Sequence, residues 1–256
     1  MIKRNAIALK TLFNKELKRI LRIWPQTLLP PVITISLYFI IFGTIIGARL
    51  GSVHGVSYIE YIVPGLIMLA VINNAYTNVV SSFFSAKFQR NLEELLVSPM
   101  YNSIIIIGFI SGGIFRGLMV GAIVTFISSF FIVIHIQHLF FTIMIALLTA
   151  ALFSLAGLLN GIFARKFDDI SIIPTFVLTP MTYLGGVFYS INALPNFWQY
   201  VSHLNPVFYM INAFRYGFLG HSDVHYTHSL FIILSFIVAG YSLALWLFYK
   251  GYGMRS

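Results

Sequence analysis

Ionisable side chains are few in this chain, which limits the chemistry that it can perform. The 256 residues include 7 Asp and Glu, 7 His and no Cys. A membrane enzyme or an ion-coupled carrier needs acids or bases in or beside the membrane core. Six of the acids fall in amphipathic or loop sequence, and Glu60 lies just inside the end of an apolar segment. We therefore predict no proton or sodium relay and no catalytic residue.

Metal binding is the next chemistry to consider, because His221, His225 and His228 are close together in sequence. Their surroundings have ordinary loop composition, so a solvated loop is the expected structure and no metal ion is predicted. The absence of Cys also excludes thiolate metal sites.

Polar residues inside apolar segments form a third group. Asn73, Asn74 and Asn78 lie in the second apolar segment, and Arg116 lies in the third. Asparagine is costly there unless it bonds across helices or faces a cavity. The sequence leaves open whether these asparagines join helices or line a translocation pathway. Arg116 either finds a partner or extends to the inner headgroups.

Nucleotide-binding motifs are absent from the sequence. No Gly-Lys dipeptide occurs, so there is no Walker A loop. Ser111-Gly112-Gly113 lies inside an apolar helix, where small residues allow close contact between helices. We predict that this chain is not an enzyme and binds no cofactor, so that uphill transport would need energy from a partner.

One charged stretch, AKFQRNLEELLVSP at residues 86–99, interrupts the apolar sequence. At helical spacing its apolar residues share one face: Phe88, Leu92, Leu95 and Leu96. Arg90 and Glu94 form an i,i+4 pair on the opposite face. A short amphipathic helix between two membrane-length segments lies either on lipid or in the groove of a partner.

The composition defines the class of the protein. Hydrophobic residues make up 59%, charged residues 9%, and the mean hydropathy is +0.89, as in integral membrane proteins. We predict an all-α fold with six transmembrane helices of about 20 residues. The six segments are residues 26–47, 58–84, 104–134, 139–163, 172–188 and 229–249. The fifth is short and contains Pro174 and Pro180.

Two further helical regions flank these spans. Residues 1–25 alternate basic and apolar residues at helical spacing, which predicts an amphipathic helix in the headgroup plane preceding a six-span transmembrane domain at 26–256. Residues 189–228 are rich in aromatics and predict short external helices, broken at Asn205-Pro206, that dip into the outer leaflet.

The distribution of positive charge predicts the orientation. Most of the 16 Lys and Arg face the cytoplasm if both termini and the loops 85–103 and 164–171 are cytoplasmic, leaving Arg49 and Arg215 outside. The net charge of +9 therefore indicates contact with membrane lipid, not with nucleic acid. We predict a multi-pass protein of the bacterial inner membrane with both termini cytoplasmic.

Taken together, four stretches resemble the permease subunit of a type-2 ABC exporter, the family that exports drugs, polysaccharides and lipid-linked glycans. Residues 1–25 resemble its connecting helix, and residues 86–99 resemble its coupling helix. TPMTYLGGVFYS at 179–190 is similar to the family's exit from the fifth span. LPNFWQYVSHLNPVFYMINAFRYGFLG at 194–220 carries the Leu-Pro, Asn-Pro, Tyr, Arg and Gly pattern of its external helices.

This resemblance implies a homodimer driven by two copies of a separate ABC ATPase subunit, which would hold the ATP and Mg²⁺ and move an amphiphilic drug, lipid or glycan outward. The residues expected to contact the ATPase are Phe88, Arg90, Leu92, Glu93, Glu94 and Leu96. Those expected on the translocation pathway are Asn73, Asn74 and Asn78. Those expected at the external gate are Gly185, Gly186, Asn205, Pro206 and Arg215.

Two other functions stay open on the sequence. An ATP-independent secondary transporter or channel would give gradient-driven flux in liposomes that contain this chain alone. A membrane enzyme acting on lipid or glycan would turn over labelled lipid, and would need an acid or base cluster at one membrane face.

Overall fold

A computed structural model describes residues 2–47, 52–53 and 55–253, and nearly all of them are helical. Five helices in this part of the chain are long and apolar enough to cross a membrane: Trp24–Gly43, Tyr58–Phe88, Asn102–Ser128, Leu139–Phe163 and Tyr226–Lys250. The all-α membrane fold is therefore confirmed, and five of the six predicted segments correspond to these helices.

The chain begins with the amphipathic helix α1, Ile2–Arg22. The first apolar helix, α2, covers Trp24–Tyr38 and continues as a π-helical stretch, Phe39–Ile46. A small antiparallel hairpin follows, with β1 at Ser52–Val53 and β2 at Val56–Ser57. Arg49, which we predicted outside the membrane, lies outside the described residues.

Helix α3, Tyr58–Phe88, is the centre of the bundle and is buried along most of its length. It begins with a capping box, in which Ser57 N donates to Glu60 Oε2 at 2.9 Å and Glu60 N donates to Ser57 Oγ. Glu60, the acid nearest to an apolar segment in the sequence, therefore has a structural partner at the helix end.

Helices α5, Asn102–Ser128, and α6, Leu139–Phe163, pack on α3 through small residues. A Cβ on Gly117 would lie 3.0 Å from Ala75 Cβ, and one on Gly157 would lie 2.5 Å from Tyr76 O. A Cβ on Gly113 would likewise be too close to the side chains of Val79 and Ser154. The close helix contact predicted for Ser111-Gly112-Gly113 is confirmed.

The fifth predicted span is the shortest of the six predicted spans in the structure. It consists of α7, Asp169–Ile173, a π-helical stretch, Pro174–Leu178, and α8, Thr179–Leu184. At 1.5 Å per residue it extends roughly 24 Å, less than the ~30 Å of a bilayer core.

A 3₁₀ turn at Ile191–Ala193 leads to α9, Asn196–His203, and α10, Pro206–Leu219. The break at Asn205-Pro206 is confirmed. The surface position expected for both helices is wrong for α10, which is buried between α3, α6 and the last helix, α11, Tyr226–Lys250. Its apolar residues point in several directions, so neighbouring helices cover it on more than one side.

Helix α1 packs against the bundle, whereas the sequence predicted a helix that lies in the headgroup plane. Leu12, Glu16 and Ile20 form a buried i, i+4, i+8 stripe against the glycine-rich face of α5. A Cβ on Gly108 would lie 2.8 Å from Leu12 Cβ, and one on Gly112 would lie 2.7 Å from Glu16 Cβ. The glycines of α5 therefore allow close packing of both α1 and α3 against this helix.

Candidate functional site

The charged stretch at residues 86–99 forms a sharp corner, where the sequence predicted one continuous helix. Helix α3 ends at Phe88, and the separate helix α4 covers Asn91–Val97. Arg90 forms the corner with φ 61°, a left-handed conformation that is uncommon for a residue with a side chain. Helix α4 therefore leaves α3 at an angle, and the face predicted from one helical period changes at Arg90.

The corner divides the predicted contact residues into two groups. Phe88 is 57% exposed and Val97 is 86% exposed, and the charged residues are exposed as well: Arg90, Glu93 and Glu94. Leu92 is fully buried in its own chain, in a cluster with Phe83, Ile105 and Phe109, and Leu96 packs partly against the same cluster. The prediction that Leu92 contacts a partner is therefore corrected, because this side chain anchors α4 to the bundle.

A buried lysine and three phenylalanines hold the corner in place. Lys87 Nζ donates to Ile162 O and Ala164 O, both at 2.8 Å, at the carboxyl end of α6, where a cation is favourable. Phe167 packs edge-on against Phe84 and Phe88, with ring centroids 5.0 Å apart in both pairs. The loops 85–103 and 164–171 thus form one surface.

The loop at 164–168 has its own cap. Asp169 Oδ2 accepts hydrogen bonds from Arg165 N at 2.8 Å and Lys166 N at 3.0 Å. These backbone donors lower the pKa of the Asp169 carboxyl, because they stabilise its charged form. The ion cluster predicted here is therefore chiefly a side-chain cap on the backbone.

A polar network that the sequence did not reveal connects α1 to the centre of α3. Glu16 is 2% exposed; its Oε1 accepts from Ser82 Oγ at 2.6 Å and its Oε2 accepts from Arg19 Nη2 at 2.9 Å. Arg19 Nη2 also donates to Asn78 Oδ1 at 2.7 Å and to Asn78 O at 3.1 Å. The only signal in the sequence is the i,i+3 spacing of Glu16 and Arg19, which is common on exposed helix faces.

The three asparagines of α3 have different environments. Asn78 is fully buried and bonded to Arg19, so it joins helices α1 and α3. Asn74 Oδ1 accepts from Arg116 Nη2 at 3.1 Å, which gives Arg116 its partner. Asn73 and Asn74 both line a cavity of about 280 Å³ enclosed by α2, α3 and α8. Two of the three residues predicted on the pathway therefore line this cavity.

The residues predicted at the external gate come together where α10 meets the end of α8. Gly186 has φ 78°, and its carbonyl accepts from Arg215 Nη2 at 2.6 Å. Asn205 caps α10, accepting from Val207 N at 3.0 Å while its Nδ2 donates to Met181 O at 2.5 Å. Two further predicted residues lie at this junction. Pro206 is the first residue of α10, and a Cβ on Gly185 would lie 3.0 Å from the side chains of that helix.

His221 and His225 lie at the same end of the bundle, in the turn that follows α10. His225 stacks on Tyr226, and its Nδ1 is 2.7 Å from Thr227 Oγ1. Within the described residues, no three His, Cys, Asp or Glu side chains are placed so that they could hold a metal ion.

The described part of the chain is thus an apolar helical bundle with a short, charged corner at one end. The sequence profile of the ABC-2 type transporter family matches residues 7–219. The chain is 59% identical over 250 residues to an inner membrane transport permease, YadH, of Escherichia coli K12, which covers 98% of both chains. It is 23% identical over 190 residues to nodulation protein J of Rhizobium meliloti, covering 74% of this chain and 72% of the relative. Nodulation protein J of Neorhizobium galegae is 22% identical over 224 residues, or 85% of this chain and 86% of the relative. The chain belongs to the ABC-2 type transporter family.

Proposed function

We propose that this chain is the membrane subunit of an exporter in the bacterial inner membrane, with both termini cytoplasmic, and that a separate ATPase subunit drives it. The observation that carries this proposal is the corner at α4, where exposed apolar and charged side chains project from the bundle. Phe88 and Val97 are large apolar residues beside Glu93 and Glu94, a combination suited to the groove of a soluble partner.

The contact set that we propose for the ATPase follows the exposure of the side chains. It comprises Phe88, Arg90, Glu93, Glu94 and Val97, with Leu96 at its edge. The shared surface with Phe167 extends this contact to the second cytoplasmic loop. ATP and Mg²⁺ would bind on the ATPase, and their hydrolysis would move α3, because Lys87 and Leu92 tie the corner to the bundle.

A homodimer is the proposed unit of transport, with one ATPase for each permease chain. Only 17% of the apolar window of α2 is buried within the chain, and the cavity at Asn73 and Asn74 lies between α2, α3 and α8. A second copy against this face would convert the cavity into part of a continuous pathway. An amphiphilic cargo suits its wall, because Tyr38 and Ile35 lie beside the amides of the two asparagines. We place the external gate at the junction of Gly185, Gly186, Asn205, Pro206 and Arg215.

The test is reconstitution in proteoliposomes with and without the co-expressed ATPase. We expect export of a fluorescent amphiphile to require both subunits and ATP, and cross-linking of α2 between two copies to yield a dimer. Uphill transport by the isolated chain would contradict the proposal.

A proton-coupled carrier is the second candidate, because Glu16 is a buried carboxylate of the kind that such carriers use. Both its oxygens already accept hydrogen bonds, from Ser82 and Arg19, which favours a structural role for this carboxylate. Flux driven by a pH gradient in liposomes of the isolated chain, abolished by Glu16→Gln, would favour this candidate instead.

A further inference from the structure

A cavity of about 460 Å³ lies at the end of the bundle opposite α4. It is enclosed by the start of α3, the end of α10 and the turn at residues 220–225. Helix α3 has 31 residues and rises 1.5 Å per residue, so roughly 45 Å separates this cavity from the corner at α4. It shares no lining residue with the cavity at Asn73 and Asn74.

Arg215 lies in the wall of this cavity and is only 2% exposed. Its Nη2 donates to Gly186 O, and its guanidinium carbon lies 4.1 Å from the centroid of the Tyr61 ring. Its Nε and Nη1 have no hydrogen-bond partner within the described residues. Buried donors without an acceptor are costly, so the site favours a ligand that brings acceptor oxygens.

The wall of the cavity also contains one carboxylate. Asp223 shares the wall with Arg215, and its Oδ1 accepts from Ser190 Oγ at 3.0 Å. This carboxylate offsets part of the arginine charge. His221 and His225, also in the wall, are exposed, so the cavity extends from the surface to the buried guanidinium. A guanidinium binds phosphate and carboxylate oxygens through several N–H groups at once.

The position along the bundle selects phosphate. Helix α9, which leads directly into α10, exposes three aromatic side chains: Phe197, Trp198 and Tyr200. Exposed Trp and Tyr of membrane proteins are enriched at the level of the lipid headgroups, where phosphodiesters are the abundant anions.

We propose that this cavity binds a phosphate group at the Arg215 guanidinium, as the phosphodiester of a lipid headgroup or as a soluble phosphate. Tyr216 and Tyr226 stack with ring centroids 4.7 Å apart in the same wall and would contact the organic part of the ligand. This binding does not depend on the proposed transport cycle, because it needs neither nucleotide nor ATPase.

The experiment uses the delipidated full chain in dodecyl maltoside, a detergent without phosphate. Phosphatidylglycerol is titrated and followed by native mass spectrometry, and inorganic phosphate is titrated by calorimetry. We expect Arg215→Gln to lower the affinity for the probe that binds the wild type by at least tenfold. Arg116→Gln, which removes a buried guanidinium at a different place, should leave the affinity within twofold.

A second variant protects the test against misfolding. Val224→Trp fills the cavity but keeps the hydrogen bond from Arg215 to Gly186, so it should abolish binding in a monodisperse protein. Binding of phosphatidylglycerol alone identifies a lipid site, and binding of inorganic phosphate identifies a soluble anion. The proposal is overturned if neither probe binds the wild type, or if Val224→Trp leaves the affinity unchanged.

Discussion

Arg19 and Asn78 are 59 positions apart in sequence, yet Arg19 Nη2 lies 2.7 Å from Asn78 Oδ1. The same nitrogen donates to Glu16 at 2.9 Å, so one guanidinium joins the buried acid of α1 to the centre of α3. Charged side chains inside an apolar bundle persist when each has a partner. This contact therefore fixes α1 to the bundle as firmly as the apolar stripe around it.

Replacement of Arg19 tests this role. Arg19→Met leaves the Glu16 carboxylate and the Asn78 amide without their partner, and we expect a loss of about 2 kcal/mol, because Arg19 itself is partly exposed. The measurement is the unfolding temperature in detergent. Arg22→Met, on an exposed position of the same helix, is the control and should change it little. Equal effects of the two substitutions would argue that the network is not structural.

Gly112 tests the close approach of α1 and α5. A Cβ on this residue would lie 2.7 Å from Glu16 Cβ and 3.1 Å from Glu16 Oε2, so Gly112→Ala should destabilise the protein by about 1–3 kcal/mol. Gly240→Ala is the matched control, because its Cβ would make ordinary contact with Leu155 at 3.9 Å. The helix propensity of Ala should then make the control neutral or more stable by up to about 1 kcal/mol. Thermal unfolding of both variants gives the comparison.

The corner at α4 allows docking to be separated from folding. Phe88→Asp and Glu93→Lys change exposed side chains, so we expect at least tenfold less ATPase in a pull-down. Glu93→Lys should leave the unfolding temperature unchanged, and Phe88→Asp should lower it only slightly, through loss of the ring contact with Phe167. Leu92→Ala should instead destabilise the chain by about 2–5 kcal/mol, because it creates a cavity beside Phe83 and Ile105. Retention of the ATPase by the Phe88→Asp/Glu93→Lys double variant would refute the proposed contact.

Asp169 gives the loop at 164–168 a dependence on pH. Its folded-state pKa lies below the usual pKa of an aspartate, so its stabilising effect is complete above the usual pKa and is lost as the pH falls through the folded pKa. Hydrogen exchange of Arg165 and Lys166 amides should therefore show protection at neutral pH that Asp169→Asn removes. Asp168→Asn is the control and should keep the protection. Equal exchange in wild type and Asp169→Asn would exclude the cap.

The sequence by itself determined the class of protein and most of its helices. The helical structure of apolar segments of membrane length can be predicted without tertiary information. Inside a bilayer every backbone N–H and C=O group must be hydrogen-bonded, and a helix satisfies these groups within its own segment. The break between α9 and α10 was likewise predictable, since Pro206 and the Asn205 cap act within a few residues. The stretches around Gly185-Gly186 and Asn205-Pro206 also sufficed to indicate the family.

Only the tertiary structure decided which faces are covered. Helical period places Phe88, Leu92 and Leu96 on one stripe, but the left-handed Arg90 breaks the period, and packing against Phe83 buries Leu92 while Phe88 stays exposed. The spacing of Glu16 and Arg19 is the same on a solvated helix as on a buried one. What distinguishes the two cases is the glycine face of α5 and the distant Asn78, and contacts across such sequence distances leave no periodic signal in a single chain.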